Sequence, residues 1–150
     1  MRRLLIMDKT ISVSFYDRNT IKEADIKYVV ITAFYGEQLV VVRHNERTTL
    51  EIPGGHIEEF ESGDEAARRE LYEETGAIKF DLRCLGIYSV DRGKDPSYGL
   101  LYYADIKEIG PLPDSEIAEV KLVTELPENL TYPLIQPKLY KRVLGVKDLR

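Results

Sequence analysis

The sequence predicts an α/β fold, with a mixed β-sheet packed between helices in one α/β sandwich. Two observations lead there. Strand-like runs fall into two groups, separated by one long helical segment and followed by a second helix. Two of those runs are continuously apolar and β-branched, the pattern of a sheet covered on both faces.

Each element follows from its residues. Ile11-Ser12-Val13-Ser14-Phe15 alternates apolar and polar side chains, as a half-buried strand does. Tyr28 to Phe34 and Leu39 to Arg43 read as a hairpin joined around Tyr35-Gly36-Glu37-Gln38. Ile52-Pro53-Gly54-Gly55 reads as a strand delivered into a turn, whose glycines let backbone come close to a ligand or metal. A helix begins at Ser62, which with Glu65 has the spacing of a capping box, and stops at Gly76, a natural C-terminal cap. Arg83 to Val90 and Tyr98 to Ile106 read as two further strands around a polar loop with the turn formers Asp91, Gly93, Asp95 and Pro96. A last strand is expected near Glu119 to Thr124. A second helix is expected from about Gln136 to Leu144, with Pro137 in the first turn, where proline is tolerated.

The 150 residues suit a single domain, 1–150, and no repeat, low-complexity tract or linker divides them. Leu, Ile, Val and Phe fill 45 positions, enough for a sizeable core and too many for a disordered chain. A net charge of −5 argues against a broad basic footprint, so no long nucleic acid is expected as a partner. The start, Met1-Arg2-Arg3-Leu4-Leu5-Ile6-Met7-Asp8, has four apolar residues after its basic pair, short of the ~7–15 of a signal peptide. The longest apolar run, Leu100 to Ala104, is far below the ~20 residues of a membrane span. The single cysteine, Cys84, excludes an intrachain disulfide and reads as a small buried hydrophobe. A cytoplasmic protein with no membrane partner is the expectation.

Residues 55–77 hold eight acids: Glu58, Glu59, Glu61, Asp64, Glu65, Glu70, Glu73 and Glu74. Against Arg68 and Arg69 these give a local charge of −6, which leaves +1 for the rest of the chain. Glu70, Glu73 and Glu74 stand at i, i+3 and i+4 and so share one helix face. Like charges at that spacing destabilise a helix by ~0.2–0.5 kcal/mol per pair, and the helix dipole disfavours anions in the last turns. Arg69 can answer Glu73 at i+4, but one cation does not neutralise three anions. A hard divalent cation would, and Mg²⁺ is held by a few carboxylates together with substrate phosphates. The plain alternative is a solvated acidic face, which leaves unexplained why the glycine turn leads directly into the carboxylate helix.

Gly55, five residues, Glu61, seven residues, then Arg69-Glu70-Leu71-Tyr72-Glu73-Glu74-Thr75-Gly76-Ala77 resembles the Nudix box, over 23 of the 150 residues. Ala77 departs from the pattern, which has a bulkier apolar residue there. The resemblance implies a Nudix-type α/β/α sandwich and Mg²⁺- or Mn²⁺-dependent hydrolysis of a nucleoside diphosphate linked to another group. It implies Glu70, Glu73 and Glu74 as metal ligands, with the Gly54 carbonyl completing the shell. Glu70 would also activate or orient the water, and Arg69 would hold Glu70, so that Glu70, Arg69 and Glu73 form the catalytic set. Gly55, Glu61 and Gly76 would support the motif, Glu61 through the loop and helix or through a metal-bound water.

The short chain and the segment Glu125-Leu126-Pro127-Glu128-Asn129-Leu130 resemble the MutT-like nucleoside triphosphate diphosphatases, which act on oxidised purine nucleotides and release a monophosphate and pyrophosphate. ADP-ribose, other nucleoside diphosphate derivatives, dinucleoside polyphosphates and capped or triphosphorylated RNA ends stay open as substrates. So do a homodimer and, in a different class, a non-catalytic nucleotide-binding module. Outside the motif, Asp114, Glu116 and Glu119 are candidates for a further base or metal ligand. Arg43 and Glu116 stand as substrate-binding candidates, Arg43 for a phosphate. His44 and His56 read as loop residues, since carboxylates already supply hard ligands. Phe34, Tyr35, Tyr88, Tyr98, Tyr102 and Tyr103 are candidates for stacking a base, although Tyr102 and Tyr103 must face opposite ways in a strand.

Overall fold

The structure, a computed structural model, describes residues 11–147. The start from Met1 to Asp8 lies outside the described residues. The elements run β1 (Ser12–Tyr16), β2 (Ile26–Tyr35), β3 (Gln38–His44), β4 (Gly54–His56), α1 (Gly63–Thr75), β5 (Ala77–Asp91), β6 (Ser97–Ile109), β7 (Ile117–Val123) and α2 (Gln136–Lys147). A 3₁₀ turn at Glu23–Asp25 precedes β2. The strands form one sheet in the order β1-β5-β6-β2-β3-β7, with β4 added to β2. Among the described strands only β2 and β6 run parallel, so the sheet is mixed, as the sequence predicts.

The apolar runs of β2 and β3 require cover on both faces, and the two helices supply it. On one face α1 brings Ala66, Ala67 and Leu71 against Val29, Ile31, Val40, Leu100 and Tyr102. On the other α2 brings Leu139 and Val143 against Leu39, Val41, Leu101 and Tyr103. Leu71 and Leu139 are fully buried, each worth ~1.5–3 kcal/mol over an exposed position. Tyr102 and Tyr103 do face opposite ways, and Cys84 packs at the edge of the first cluster.

Helix α1 has the ends its residues dictate. The Ser62 hydroxyl accepts from the Glu65 N–H at 3.1 Å, and the Glu65 carboxylate accepts from the Ser62 N–H at 2.9 Å. Gly76 closes the helix at φ 79°, a left-handed conformation that costs a side chain energy. The Tyr102 hydroxyl donates to Asp64 in the first turn, tying the helix start to β6.

Two elements differ from expectation. Strand β5 begins at Ala77, directly after the helix cap, rather than at Arg83, because its first half is mostly exposed and is fixed by pairing with the far end of β6. The Gly54-Gly55 segment is a short strand rather than a turn. β2 and β3 pair only at Phe34↔Leu39 and Tyr35↔Gln38 and then part. The vacated edge of β2 takes β4 instead, with Tyr28↔His56, Val29↔Gly55 and Val30↔Gly54. On the other side of this seam, Glu51 bridges to Val42 of β3. Among the described residues no helix is long and apolar enough to cross a membrane.

Candidate active site

The seam between β2 and β3 opens a cavity of about 560 Å³. The glycines of β4 let the acidic helix reach it. A side chain at Gly55 would place Cβ 1.4 Å from Glu70 Oε2, so that carboxylate occupies the volume the glycine leaves free. A side chain at Gly54 would meet the Val29 carbonyl at 2.4 Å. The Gly54 N–H donates to Glu74 Oε1 at 3.0 Å. Glu70 and Glu74, one turn apart on α1, both line the cavity.

Their environment is costly for negative charge. Burial pushes the Glu70 carboxyl up to about 7, with the Arg69 charge opposing and the Glu73 charge reinforcing the shift. Burial pushes Glu74 up to about 8; the Gly54 N–H opposes this, and Glu70, Glu51 and Glu73 add to it. Glu73 is different: its side chain is 46% exposed and is held by Arg69 Nη1 at 3.1 Å.

Arg69 is the clamp of the motif. Its Nε and Nη2 donate to the two oxygens of Glu61 at 2.7 and 3.0 Å, and Nη2 also donates to the His56 carbonyl at 3.0 Å. Nη1 stands 3.3 Å from Glu70 Oε1. A bidentate guanidinium–carboxylate pair is strong and geometrically specific. It holds Glu61 below the usual carboxylate range and raises Arg69. The loop between β4 and α1 is thus pinned to the helix. Arg69 contacts Glu70, but its main bonds go to the loop.

A second acidic group faces the first from the β3 side. Glu51 is buried, and its carboxylate accepts from Arg47 Nη1 at 3.0 and 3.2 Å. His44 Nε2 lies 2.6 Å from Glu51 and 3.6 Å from Glu74, and His44 Nδ1 lies 3.9 Å from Glu116. Both histidines expected in loops are therefore strand residues lining the cavity: His44 ends β3, and His56 ends β4 with its ring 4.7 Å from Tyr28.

Glu116 lines the rim, while Asp114 and Glu119 do not. Arg43 is also outside the lining: it faces Glu119 across β3 and β7, with Nε donating to it at 3.3 Å. Strand alternation gives the inward position to His44. Of the aromatic candidates only Tyr88 lines the cavity; Phe34 and Tyr103 lie in the α2-side core, Tyr98 and Tyr102 in the α1-side core, and Tyr35 is exposed. Sequence reasoning missed Tyr28, Tyr132, Arg47, Glu51, Arg92 and Gln136, which all line it. The alternation of β2 carries a signal for Tyr28, two residues from the lining residue Val30.

Among the described residues no three His, Cys, Asp or Glu side chains form a ready-made metal site. The donor set nevertheless suits a hard divalent cation. Mg²⁺ commonly takes only one or two protein carboxylates, keeps several waters and completes its shell with substrate phosphates. The buried Glu74 and the half-buried Glu70, mutually repelling, are the pair a cation would relieve, and Glu73 and Gly54 lie beside them.

Comparison with known proteins shows the family and the fold. The family model described as the NUDIX domain matches residues 26–142. The chain belongs to the NUDIX domain family. YtkD of Bacillus subtilis (strain 168), provisionally named an 8-oxo-dGTP diphosphatase, is 37% identical over 106 residues. That match covers 70% of this NUDIX chain and 66% of YtkD, just under two thirds of the relative's length. Among solved structures, the B. subtilis pyrophosphohydrolase BsRppH has a TM-score of 0.74 at 28% identity, covering 91% of this chain and 90% of that one. A UDP-X diphosphatase has a TM-score of 0.67 at 23% identity, over 86% and 68% of the two chains, and shows the shared fold. NUDIX domains generally use divalent metal ions.

Proposed function

We propose that this NUDIX domain is a Mg²⁺- or Mn²⁺-dependent pyrophosphohydrolase that cleaves nucleoside triphosphates, oxidised purine nucleotides among them, to a monophosphate and pyrophosphate. One observation carries the reading: the buried Glu74 and the half-buried Glu70, carboxyls that burial pushes up, face a cavity whose lining includes Tyr28, Tyr88 and Tyr132. The likeness to YtkD supports the substrate class.

Glu70, Glu73 and Glu74 would hold the divalent ion, with the Gly54 carbonyl beside them. Bound there, the ion would neutralise pyrophosphate charge, polarise phosphorus and lower the pKa of a bound water. Glu70 would also orient or activate the attacking water as general base. Arg69 acts as a positioning residue, because its bonds to Glu61 and the His56 carbonyl fix the β4–α1 loop on which that alignment depends. His44 sits between Glu51 and Glu74 on the β3 side, with Nε2 2.6 Å from Glu51 and 3.6 Å from Glu74. Tyr28 and Tyr88 receive the nucleoside, and Glu116 stands at the rim. With its carboxylates unneutralised the acidic end repels phosphates, so substrate binding follows metal loading.

The test is Mg²⁺-dependent hydrolysis across unmodified and 8-oxo nucleoside triphosphates, ADP-ribose and a dinucleoside polyphosphate, with products separated by chromatography. Monophosphate plus pyrophosphate, lost in Glu70→Gln and Glu74→Gln, is the expected result. Turnover of a diphosphate-linked substrate alone would overturn the triphosphate assignment. Nucleotide binding with no turnover of any substrate would favour a non-catalytic module.

A further inference from the structure

The strands set four residues in one row across the sheet. Tyr88 on β5 is the partner of Gly99 on β6, Gly99 of Tyr28 on β2, and Tyr28 of His56 on β4. Residues directly opposite in neighbouring strands project from the same face. Three rings therefore converge around one glycine, and all three line the cavity. The phenol end of Tyr88 lies over Gly99, where a Cβ would come within 2.5 Å of the ring. Burial raises the Tyr88 pKa, with Tyr28 and Tyr132 adding to the shift, so its hydroxyl stays neutral. Tyr28 and His56 are tilted by 55° to one another, and Tyr88, mostly buried against the α2-side core, closes the row, so that a base can pack on its aromatic edges and faces.

Alternation along β5 carries the same face onward through Tyr88 and Val90, and Arg92, in the bend just after β5 ends at Asp91, lines the cavity with them. The strand sequence β5-β6-β2-β4 places β5, which leads into Arg92, three spacings from Gly54 and Gly55, roughly 14 Å at ~4.8 Å per strand. A nucleotide with its phosphates at the glycine pair can reach β5 with its base. The cavity's other basic side chains have carboxylate neighbours: Arg47 has Glu51, and His44 has Glu51 and Glu74. Among the described residues no hydrogen bond, ion pair or ring contact engages Arg92. Its guanidinium offers five donors and no acceptor.

Resting on the triphosphate reading, we infer that Arg92 is a specificity-determining residue, which donates to the acceptor edge of a 6-oxopurine stacked on the Tyr88–Tyr28 row and so favours guanine-type over adenine-type bases. Guanine presents its O6 acceptor where adenine presents the N6 amino donor. A guanidinium matches the first and leaves donor against donor with the second. A contact to phosphate would treat both purines alike.

The test measures kcat/KM for dGTP, 8-oxo-dGTP and dATP in the unmodified enzyme, Arg92→Ala and Arg92→Lys, and the Kd of GMP and AMP by calorimetry in the same three proteins. Arg92→Ala is expected to lower the dGTP/dATP ratio about tenfold or more, through KM, with a parallel fall in the GMP/AMP binding ratio. Lys, a point charge without the fork, should restore part of it. Equal losses for both purines, or an unchanged ratio, would overturn the inference. If no triphosphate is hydrolysed while GMP still binds better than AMP through Arg92, the triphosphate reading fails and the role of Arg92 stands.

Discussion

Replacing Gly55 by alanine separates catalysis from folding. The new Cβ would lie 1.4 Å from Glu70 Oε2, and real Cβ atoms essentially never approach closer than 3.0 Å, so the oxygen must retreat by about 1.6 Å. The obstacle is the far end of a flexible side chain, which can swing aside without moving backbone. Folding should suffer little, and Gly→Ala at a tolerant site even stabilises by ~0.4–1 kcal/mol through the unfolded chain. Chemistry should suffer much more, since a displacement of ~1 Å in an aligned site costs on the order of 10²-fold. Gly54→Ala is the control with the opposite signature, because its Cβ meets the Val29 carbonyl, which is backbone, at 2.4 Å. Overpacking of that kind costs ~1–3 kcal/mol, and each kcal/mol lowers the Tm by ~2–4 °C in a chain of this size. The assay pairs thermal melting with Mg²⁺-dependent turnover. Full turnover in Gly55→Ala would refute the need for Glu70 at its observed position, and a Tm loss matching that of Gly54→Ala would refute the assignment of the strain to a side-chain end.

Three further outcomes are expected. In metal-free protein Glu70 and Glu74 bind protons more tightly folded, at about 7 and 8, than at the ordinary 4.5, so stability falls as pH rises from about 5 towards 8. At about 1.4 kcal/mol per pKa unit the loss amounts to several kcal/mol; melting in EDTA across that range should show it, and Glu74→Gln should flatten the slope. Arg69→Lys cannot reproduce the fork that grips Glu61; turnover should fall at least tenfold and protease cleavage between Glu58 and Ser62 should quicken, whereas unchanged values would show the clamp to be idle. Ser62→Ala removes one half of the capping box, with an expected cost of ~1 kcal/mol, read as a lower Tm at unchanged turnover.

The parts of the molecule that were legible in the sequence are those fixed locally. The capping box, the Gly76 cap, the β2–β3 hairpin and the spacing of Glu70, Glu73 and Glu74 depend on residues close together in the chain. β4 was not legible, because two glycines and a histidine have no strand preference and pair only where β2 has lost its partner. The engagement of His44 with Glu51 depends on how the segment after β3 folds back, and the cavity role of Tyr132 on the approach to α2. Arg43 and His44 show how a one-residue step in a strand exchanges the side chain that faces the cavity for the one that pairs across the sheet.

One contact ties the acidic site to the order in which the chain is made. The Gln136 side chain accepts from the Ile52 N–H at 2.8 Å and lies 3.5 Å from the Ile52 carbonyl, joining the first turn of α2 to the residue two before Gly54. The Leu50–Leu130 bridge and the Thr49–Thr131 hydroxyl contact of 2.6 Å bind the same stretch. A nascent chain paused after α1 therefore holds all three candidate metal carboxylates and the β2 partner of β4, but lacks Leu130, Thr131 and Gln136, which bind the stretch leading into β4. The segment that leads into the candidate site, central in the sequence, gains its last contacts only when the last helix has been synthesised.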